Sequence, residues 1–197
     1  MGKKSMKRFP IIAVEGIDGS GKTTVAELVA KKMNRVCIHT PAKVYSDMKG
    51  FFRNCKQYAV PRFYFFLSGI WEAYNRAIEI CNEQPVIFDR YILSTLIYHR
   101  VMLQLCGINL NLNLIAMAGF PPKPDLNILL EVDNETAIRR IRSRGDKDFD
   151  LDFERDRKFQ MLVQKEMLCE ADYTFDSGVL TAEEIAKEVI KKVNLFY

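Results

Sequence analysis

Short apolar runs alternate along the chain with longer segments of helical periodicity. Five of the runs have the length of strands and stay apolar almost throughout, which is typical of parallel strands covered on both faces. The predicted strands are Pro10–Val14, Val36–Ile38, Pro85–Phe88, Leu126–Val132 and Tyr173–Phe175. Helices are predicted after them at about 21–33, 62–82, 92–106, 135–144, 153–171 and 182–193. This alternation predicts right-handed crossovers and a three-layer α/β fold around a five-stranded parallel sheet.

The organisation of the chain is simple. No repeat, low-complexity tract or linker rich in Gly, Pro or Ser interrupts the pattern, and a length of 197 residues suits one hydrophobic core. We therefore predict a single domain over residues 1–197. In open α/β sheets, ligands bind beyond the carboxyl ends of the strands, so those ends are where functional residues are expected.

Composition excludes several classes of protein. With 48% hydrophobic and 27% charged residues, the chain is typical of a globular protein rather than a disordered or membrane protein. A net charge of +4, with one small basic cluster at Lys3, Lys4, Lys7 and Arg8, falls short of the basic surface of a nucleic-acid-binding protein. No apolar stretch has the length of a secretory signal or a membrane span. These features predict a cytoplasmic enzyme without a nucleic-acid or membrane partner.

The five cysteines change this picture little. They are Cys37, Cys55, Cys81, Cys106 and Cys169, an odd number that is never spaced as C-x-x-C. Such spacing favours neither a disulfide framework nor a zinc site, so the cysteines are expected to be reduced thiols.

A phosphate-binding loop follows the first predicted strand and opens the first predicted helix. The segment GIDGSGKT matches G-x-x-x-x-G-K-[ST] at every fixed position. Free backbone N–H groups can cradle the phosphates of ATP, Lys22 can reach the transferring phosphate, and Thr23 can ligate Mg²⁺. The predicted cofactor-binding residues are Gly16, Ile17, Asp18, Gly19, Ser20, Gly21, Lys22, Thr23 and Thr24.

A second polar motif, Phe88-Asp89-Arg90-Tyr91, ends the third predicted strand. That strand usually lies beside the first in a P-loop fold, so Asp89 is expected to face the loop. Asp89 could then hold Mg²⁺ and accept the nucleophile's proton, while Arg90 could form a fork for an acceptor phosphate. The N-K-x-D motif of GTPases and the G-x-G-x-x-G and H-R-D motifs of protein kinases are absent from the sequence.

Three segments resemble the thymidylate kinases. They are EGIDGSGKTT at Glu15–Thr24, DRYILSTLIYH at Asp89–His99 and KPDLNILLEVDNETAIRRIRSRG at Lys123–Gly145. The similarity runs from about residue 9 to 171. It implies a P-loop kinase fold with a short lid, and phosphoryl transfer from ATP to a pyrimidine nucleoside monophosphate, with dTMP the expected acceptor.

The resemblance also implies roles for residues around the acceptor. Asp18 would approach the sugar and phosphate, Arg90 would hold the phosphate, and Thr95 would lie near the base. Tyr98 would lie under the sugar, where its ring can exclude a 2′-hydroxyl. Glu154 matches a carboxylate near the acceptor and the metal ion.

The lid is predicted at about 145–152, after a helix end that carries four arginines, Arg139, Arg140, Arg142 and Arg144. Arg140 and Arg144 are one helical turn apart and therefore share a face, so we expect both to act on the transferring phosphoryl group. Similar enzymes place an arginine in the P-loop or within the lid loop. Here the lid loop offers only Lys147.

The identity of the base stays open at this stage. Phe66 corresponds to the aromatic that stacks on thymine, but Ile70 stands where the family has a base-reading arginine. Parts of the sequence look equally similar to the UMP/CMP kinase branch of the family. A deoxynucleoside kinase, whose motif near the third strand is usually E-R-S, and a catalytically silent nucleotide-binding protein are the further alternatives. A homodimer is expected by analogy with the family alone.

Overall fold

The structure is a computed structural model, and it describes residues 8–42, 44–45, 48, 55–109, 119–143 and 156–196. Five parallel strands form one sheet in the order β2-β3-β1-β4-β5. The strands are β1 (Ile11–Gly16), β2 (Val36–His39), β3 (Val86–Asp89), β4 (Leu126–Glu131) and β5 (Tyr173–Asp176). The five-stranded parallel sheet predicted from the sequence is thus confirmed.

Helices flank this sheet on both faces. They are α1 (Lys22–Met33), α2 (Cys55–Ile80), α3 (Ile92–Leu105), α4 (Asn134–Ser143), α5 (Arg157–Leu168) and α6 (Ala182–Val193), followed by a short 3₁₀ turn at Asn194–Phe196. Alternate residues of β1 serve the two faces, as the pleat of a strand requires. Ile12 and Val14 pack under α1 and α6, whereas Ile11 and Ala13 pack under α2 and α3. The result is the predicted three-layer arrangement.

Two predicted features needed correction. The second long helix begins at Cys55 rather than at residue 62, and Pro61 lies inside it. Proline lacks the N–H that a helix interior uses, so the sequence favoured a start after it. The edge strand β5 alternates between partly buried and exposed residues, so it is not covered on both faces as its apolar pattern predicted.

The central strand β1 places the site. Its register pairs Val14 with Asp89 of β3, and Gly16 with Leu130 of β4. Because all strands are parallel, their carboxyl ends meet at one edge of the sheet, where the P-loop leaves β1. None of the helices among the described residues combines the length and apolar character needed to cross a membrane.

Candidate active site

The P-loop runs from the end of β1 into α1, and its lysine is held inside the loop. Lys22 donates to the Ile17 carbonyl at 3.1 Å and to Asp18 Oδ1 at 3.2 Å. Burial and, secondarily, repulsion by Arg90 lower the pKa of Lys22 to about 8, against the attraction of Asp18 and Asp89. The ammonium group is therefore poorly solvated and would gain stabilisation from an added anion.

Two of the loop glycines, Gly19 and Gly21, share a backbone conformation but differ in what surrounds them. Gly19 has φ 81° and Gly21, at the start of α1, has φ 87°, both in the left-handed region that favours glycine. A Cβ at Gly19 would lie 2.5 Å from the carbonyl oxygen of Ala137 in α4, whereas a Cβ at Gly21 would meet nothing within 4 Å. The loop thus lies directly on the backbone of α4 at Gly19.

Arg140 of α4 reinforces this contact. Its guanidinium donates to the Gly19 carbonyl at 3.3 Å, to the Ser177 hydroxyl at 3.2 Å and to the Ser177 carbonyl at 2.6 Å. Arg140 therefore ties the P-loop to the turn that follows β5. No sequence pattern indicated the Ser177 partner, which lies 37 residues away.

Asp89 faces the P-loop, as predicted from the position of β3 beside β1. Its Oδ2 accepts from the Thr23 hydroxyl at 2.7 Å and lies 3.1 Å from Nδ1 of His39 at the end of β2. His39 Nε2 in turn lies 3.5 Å from Glu27. Sequence reasoning missed His39, although its place at a strand end was a signal for it.

The oxygens at this point fit Mg²⁺. Asp89 is buried, and its Oδ1 has no hydrogen-bond partner. An unpaired buried carboxylate oxygen beside a hydroxyl is a donor set that Mg²⁺ accepts, because this ion uses one or two protein oxygens together with waters and substrate phosphates. Within the described ranges no group of three or more His, Cys, Asp or Glu side chains could cage a metal ion.

Arg90 directly follows Asp89 and has the left-handed φ of 67°. This conformation turns its guanidinium towards the P-loop, where it forms an ion pair with Asp18 and lies 5.5 Å from the centroid of the Tyr98 ring. Burial by itself would lower the pKa of Arg90, but the carboxylates of Asp18 and Asp89 and the hydroxyl oxygen of Tyr98 outweigh it and raise the pKa. Asp18 consequently bridges Lys22 and Arg90.

Glu15 is a second residue that sequence reasoning left without a role. It is fully buried, accepts from the Tyr91 N–H at 3.0 Å and also accepts from the Ser94 hydroxyl. Burial raises its pKa, against the hydrogen bond from Ser94 and the charge of Arg90. Because Glu15 belongs to β1 and its donors open α3, it fixes the turn that carries Arg90. A charged residue directly after the predicted strand Pro10–Val14 was the signal available.

The residues expected near the acceptor lie on α2 and α3. Tyr98 and Thr95 are on α3, on the helix that begins just after Arg90, and Tyr98 packs edge-on against Phe159 of α5. Phe66 of α2 is buried, with the Arg62 guanidinium 4.7 Å from the centre of its ring. Ile70 packs in the apolar cluster between α2 and the sheet.

The remaining predicted residues divide into two groups. Thr24 is exposed on the first turn of α1. Arg144, Glu154 and the predicted lid at 145–152 lie outside the described residues. What the structure brings together is a P-loop lysine, a carboxylate beside a threonine hydroxyl, and an arginine fork. This arrangement can hold two phosphate groups near each other and stabilise charge between them.

Comparison with known proteins agrees with this chemistry. A family model described as thymidylate kinase matches residues 14–193. The chain is similar to the probable thymidylate kinase of Methanococcus aeolicus, with 29% identity over 95% of this chain and 96% of that protein. It is also similar to the probable thymidylate kinase of Sulfolobus acidocaldarius, with 30% identity over 92% of this chain and 93% of the relative.

Solved structures share the fold. A thymidylate kinase from Candida albicans superposes with a TM-score of 0.72 at 22% identity, covering 95% of this chain and 92% of that one. A deoxyadenosine kinase from M. mycoides superposes with a TM-score of 0.74 at 20% identity, covering 94% and 99% respectively. Because both kinds of kinase share this fold, the fold alone does not choose between them.

The contact between the P-loop and α4 predicts different costs for two glycine substitutions. Gly19→Ala combines a left-handed φ with a clash against backbone and should cost at least about 2 kcal/mol of unfolding free energy. Gly21→Ala carries the unfavourable φ alone and should cost about 1 kcal/mol. Urea unfolding of both variants measures this difference, and equal losses would contradict the proximity of Gly19 to Ala137.

Glu15 offers a test of how the Arg90 turn is held. Glu15→Ala strands the Tyr91 N–H and the Ser94 hydroxyl in a buried site, at about 1–3 kcal/mol for each lost partner. Glu15→Gln keeps an acceptor for Tyr91 and should cost less than half as much. Chemical denaturation compares the two variants. If Gln proved as damaging as Ala, the carboxylate charge rather than its hydrogen bonds would be holding the turn.

Proposed function

Because the chain belongs to the thymidylate kinase family, whose members are nucleoside monophosphate kinases, we propose that it transfers the γ-phosphoryl group of ATP to dTMP. The observation that carries this proposal is the bridge formed by Asp18 between Lys22 of the P-loop and Arg90. Two cations, Lys22 at the start of α1 and Arg90 just after β3, meet around one carboxylate, at the edge of the sheet where a donor and an acceptor phosphate could be held side by side.

In the proposed reaction, an oxygen of the dTMP phosphate attacks the γ-phosphorus of ATP. The bond between that phosphorus and the β–γ bridging oxygen breaks, and ADP leaves with the bond electrons. The backbone N–H groups of the P-loop and Lys22 hold the donor phosphates. Arg90 holds the acceptor phosphate through two parallel hydrogen bonds, which fixes its orientation for in-line attack.

Mg²⁺ would be held by Thr23 and Asp89 and, when bound, would neutralise charge on the phosphates of ATP. Asp89 is also proposed to take a proton from a protonated acceptor phosphate. Thr24, at the N-terminus of α1, completes the proposed binding loop. Arg140 holds the loop against α4 in this structure, and we retain it, with Arg144, as a proposed source of positive charge on the transferring group.

For the acceptor nucleoside, Tyr98 is proposed to lie under the sugar, with Thr95 and Phe66 near the base and Asp18 near the sugar and phosphate. The contact between Arg90 and the Tyr98 ring supports this arrangement, since it joins the phosphate clamp to the sugar position. The proposed role of Glu154 near the acceptor rests on the family resemblance. The cytoplasmic location, the homodimer and the absence of nucleic-acid and membrane partners also stay predictions.

The first test is a panel of monophosphates with ATP and Mg²⁺. We expect ADP formation with dTMP, and slower turnover with UMP and CMP because the Tyr98 ring opposes a 2′-hydroxyl. Thymidine without its phosphate serves as the control acceptor, and turnover of thymidine in place of dTMP would identify a deoxynucleoside kinase instead.

Lys22→Ala should reduce kcat by at least about 10²-fold without loss of fold, because it removes charge stabilisation at the transferring phosphate.

Arg90 supplies a second test, on the acceptor alone. Arg90→Lys keeps a positive charge but removes the fork, so KM for dTMP should rise by about 10- to 100-fold while KM for ATP stays within about threefold. Steady-state kinetics with each substrate varied in turn separate the two effects. A parallel rise in both KM values would mean that Arg90 does not distinguish acceptor from donor.

A further inference from the structure

Resting on the proposed function, we propose that His99 and Arg62 read the base of the acceptor, with His99 Nε2 accepting from N3–H and Arg62 donating to O4. These residues would replace the single arginine that the family resemblance predicted at position 70. The pair lies between α2 and α3 around Phe66. It would make the site specific for the imide edge of thymine or uracil.

The tautomer of His99 follows from its one hydrogen bond. Its Nδ1 lies 2.7 Å from the Thr95 carbonyl oxygen. A carbonyl oxygen only accepts, so Nδ1 must carry the proton. Burial, with repulsion from Arg62, lowers the pKa of His99 to about 3. The ring is therefore neutral, and Nε2 is a hydrogen-bond acceptor.

That acceptor has no partner in the protein. His99 is only 5% exposed, and its Nε2 makes no hydrogen bond. Buried acceptors without partners are uncommon because each costs free energy, so one that persists calls for a functional explanation. The Thr95 carbonyl belongs to the helix and does not need the side chain. The hydrogen bond of Nδ1 consequently orients the ring but does not account for Nε2.

The side chains around His99 are of the kind that bind a flat heterocyclic base. The Phe66 ring lies 5.4 Å from the His99 ring, centre to centre, and the Arg62 guanidinium lies 4.7 Å from the Phe66 ring centre. Arg62, a planar cation, thus covers the aromatic face on which a base would stack. In the proposed complex the base takes this place, and the guanidinium moves to its edge.

The arrangement favours thymine over cytosine. With the phosphate held by Arg90 and the ring stacked on Phe66, pyrimidines enter in one register, so position 4 meets Arg62 and position 3 meets His99. Thymine and uracil present a carbonyl oxygen and an N–H there, and both match. Cytosine presents an amino group and a bare nitrogen, which places donor against donor and acceptor against acceptor.

Ile70 cannot take part in this recognition. It is 2% exposed and packs with Ile11, Ala13 and Ile38 against the sheet. Arg62 lies one turn before Phe66 on α2, whereas position 70 lies one turn after it. Compared with the family pattern, the positive charge therefore lies one helical turn before the aromatic residue instead of one turn after it.

The experiment compares dTMP, N3-methyl-dTMP and dCMP with ATP and Mg²⁺. For the unmodified enzyme we expect kcat/KM for dTMP to exceed that for both alternatives by at least about tenfold. His99→Leu should reduce the preference over N3-methyl-dTMP to within about threefold. His99→Gln, whose amide oxygen can accept, should retain part of it, and Arg62→Met should reduce the preference over dCMP.

The matched control is Phe63→Leu, at an apolar, fully buried ring that packs edge-on against His99. It should lower the melting temperature without changing the substrate ratios, whereas His99→Leu should melt no lower than the unmodified enzyme. Equal use of dTMP and N3-methyl-dTMP by the unmodified enzyme would overturn the proposal, even if no His99 variant folds. The proposal would also be overturned if the substrate ratios changed as much in the Phe63 control as in His99→Leu. Absence of dTMP turnover would instead refute the proposed function.

Discussion

Parallel pairing of β1 with β3 is the constraint on which the site depends. It places the strand that feeds the P-loop beside the strand that ends in Asp89, with Val14 opposite Asp89 in the register. Thr23 and Asp89, 66 residues apart in sequence, then meet at 2.7 Å. Glu15 adds a side-chain link between β1 and the start of α3, so the loop and the Arg90 turn are held by one strand. Loosening that pairing would separate the two proposed phosphate sites.

Opposite charges are balanced where the P-loop meets the turn that carries Arg90. Lys22 and Arg90 are cations that repel each other, and burial works against the charged form of both. Asp18 compensates by contacting both groups. An incoming phosphate supplies the same kind of charge with more acceptor oxygens, so it can replace these contacts without stranding either cation. In the proposed function, the Asp18 carboxylate keeps the two cations in place until a phosphate binds.

The sequence predicted the parts of this arrangement that depend on strand ends and fixed spacing. The P-loop, Asp89 and the order of strands and helices follow from local pattern, because parallel strands bring their carboxyl ends to one edge. Hydrogen-bond partners that tertiary packing brings together could not be predicted in this way. Glu15 and Ser94 are 79 residues apart in sequence, and Arg140 and Ser177 are 37 residues apart. Apolar runs also could not distinguish edge strand β5 from the central strands, since burial depends on what lies beside a strand.

Two buried polar atoms without partners complete the argument about the site. Asp89 Oδ1 lies beside Thr23 in the P-loop, and His99 Nε2 lies beside Phe66 between α2 and α3. Each unpaired acceptor lowers the stability of the unliganded protein, because it has lost water and gained nothing in return. Each is also complementary to one part of the proposed ligands, a metal ion on the phosphates in one case and a base N–H in the other. In the proposed complex both atoms gain a partner, so the same atoms that lower the stability of the unliganded protein would favour ligand binding.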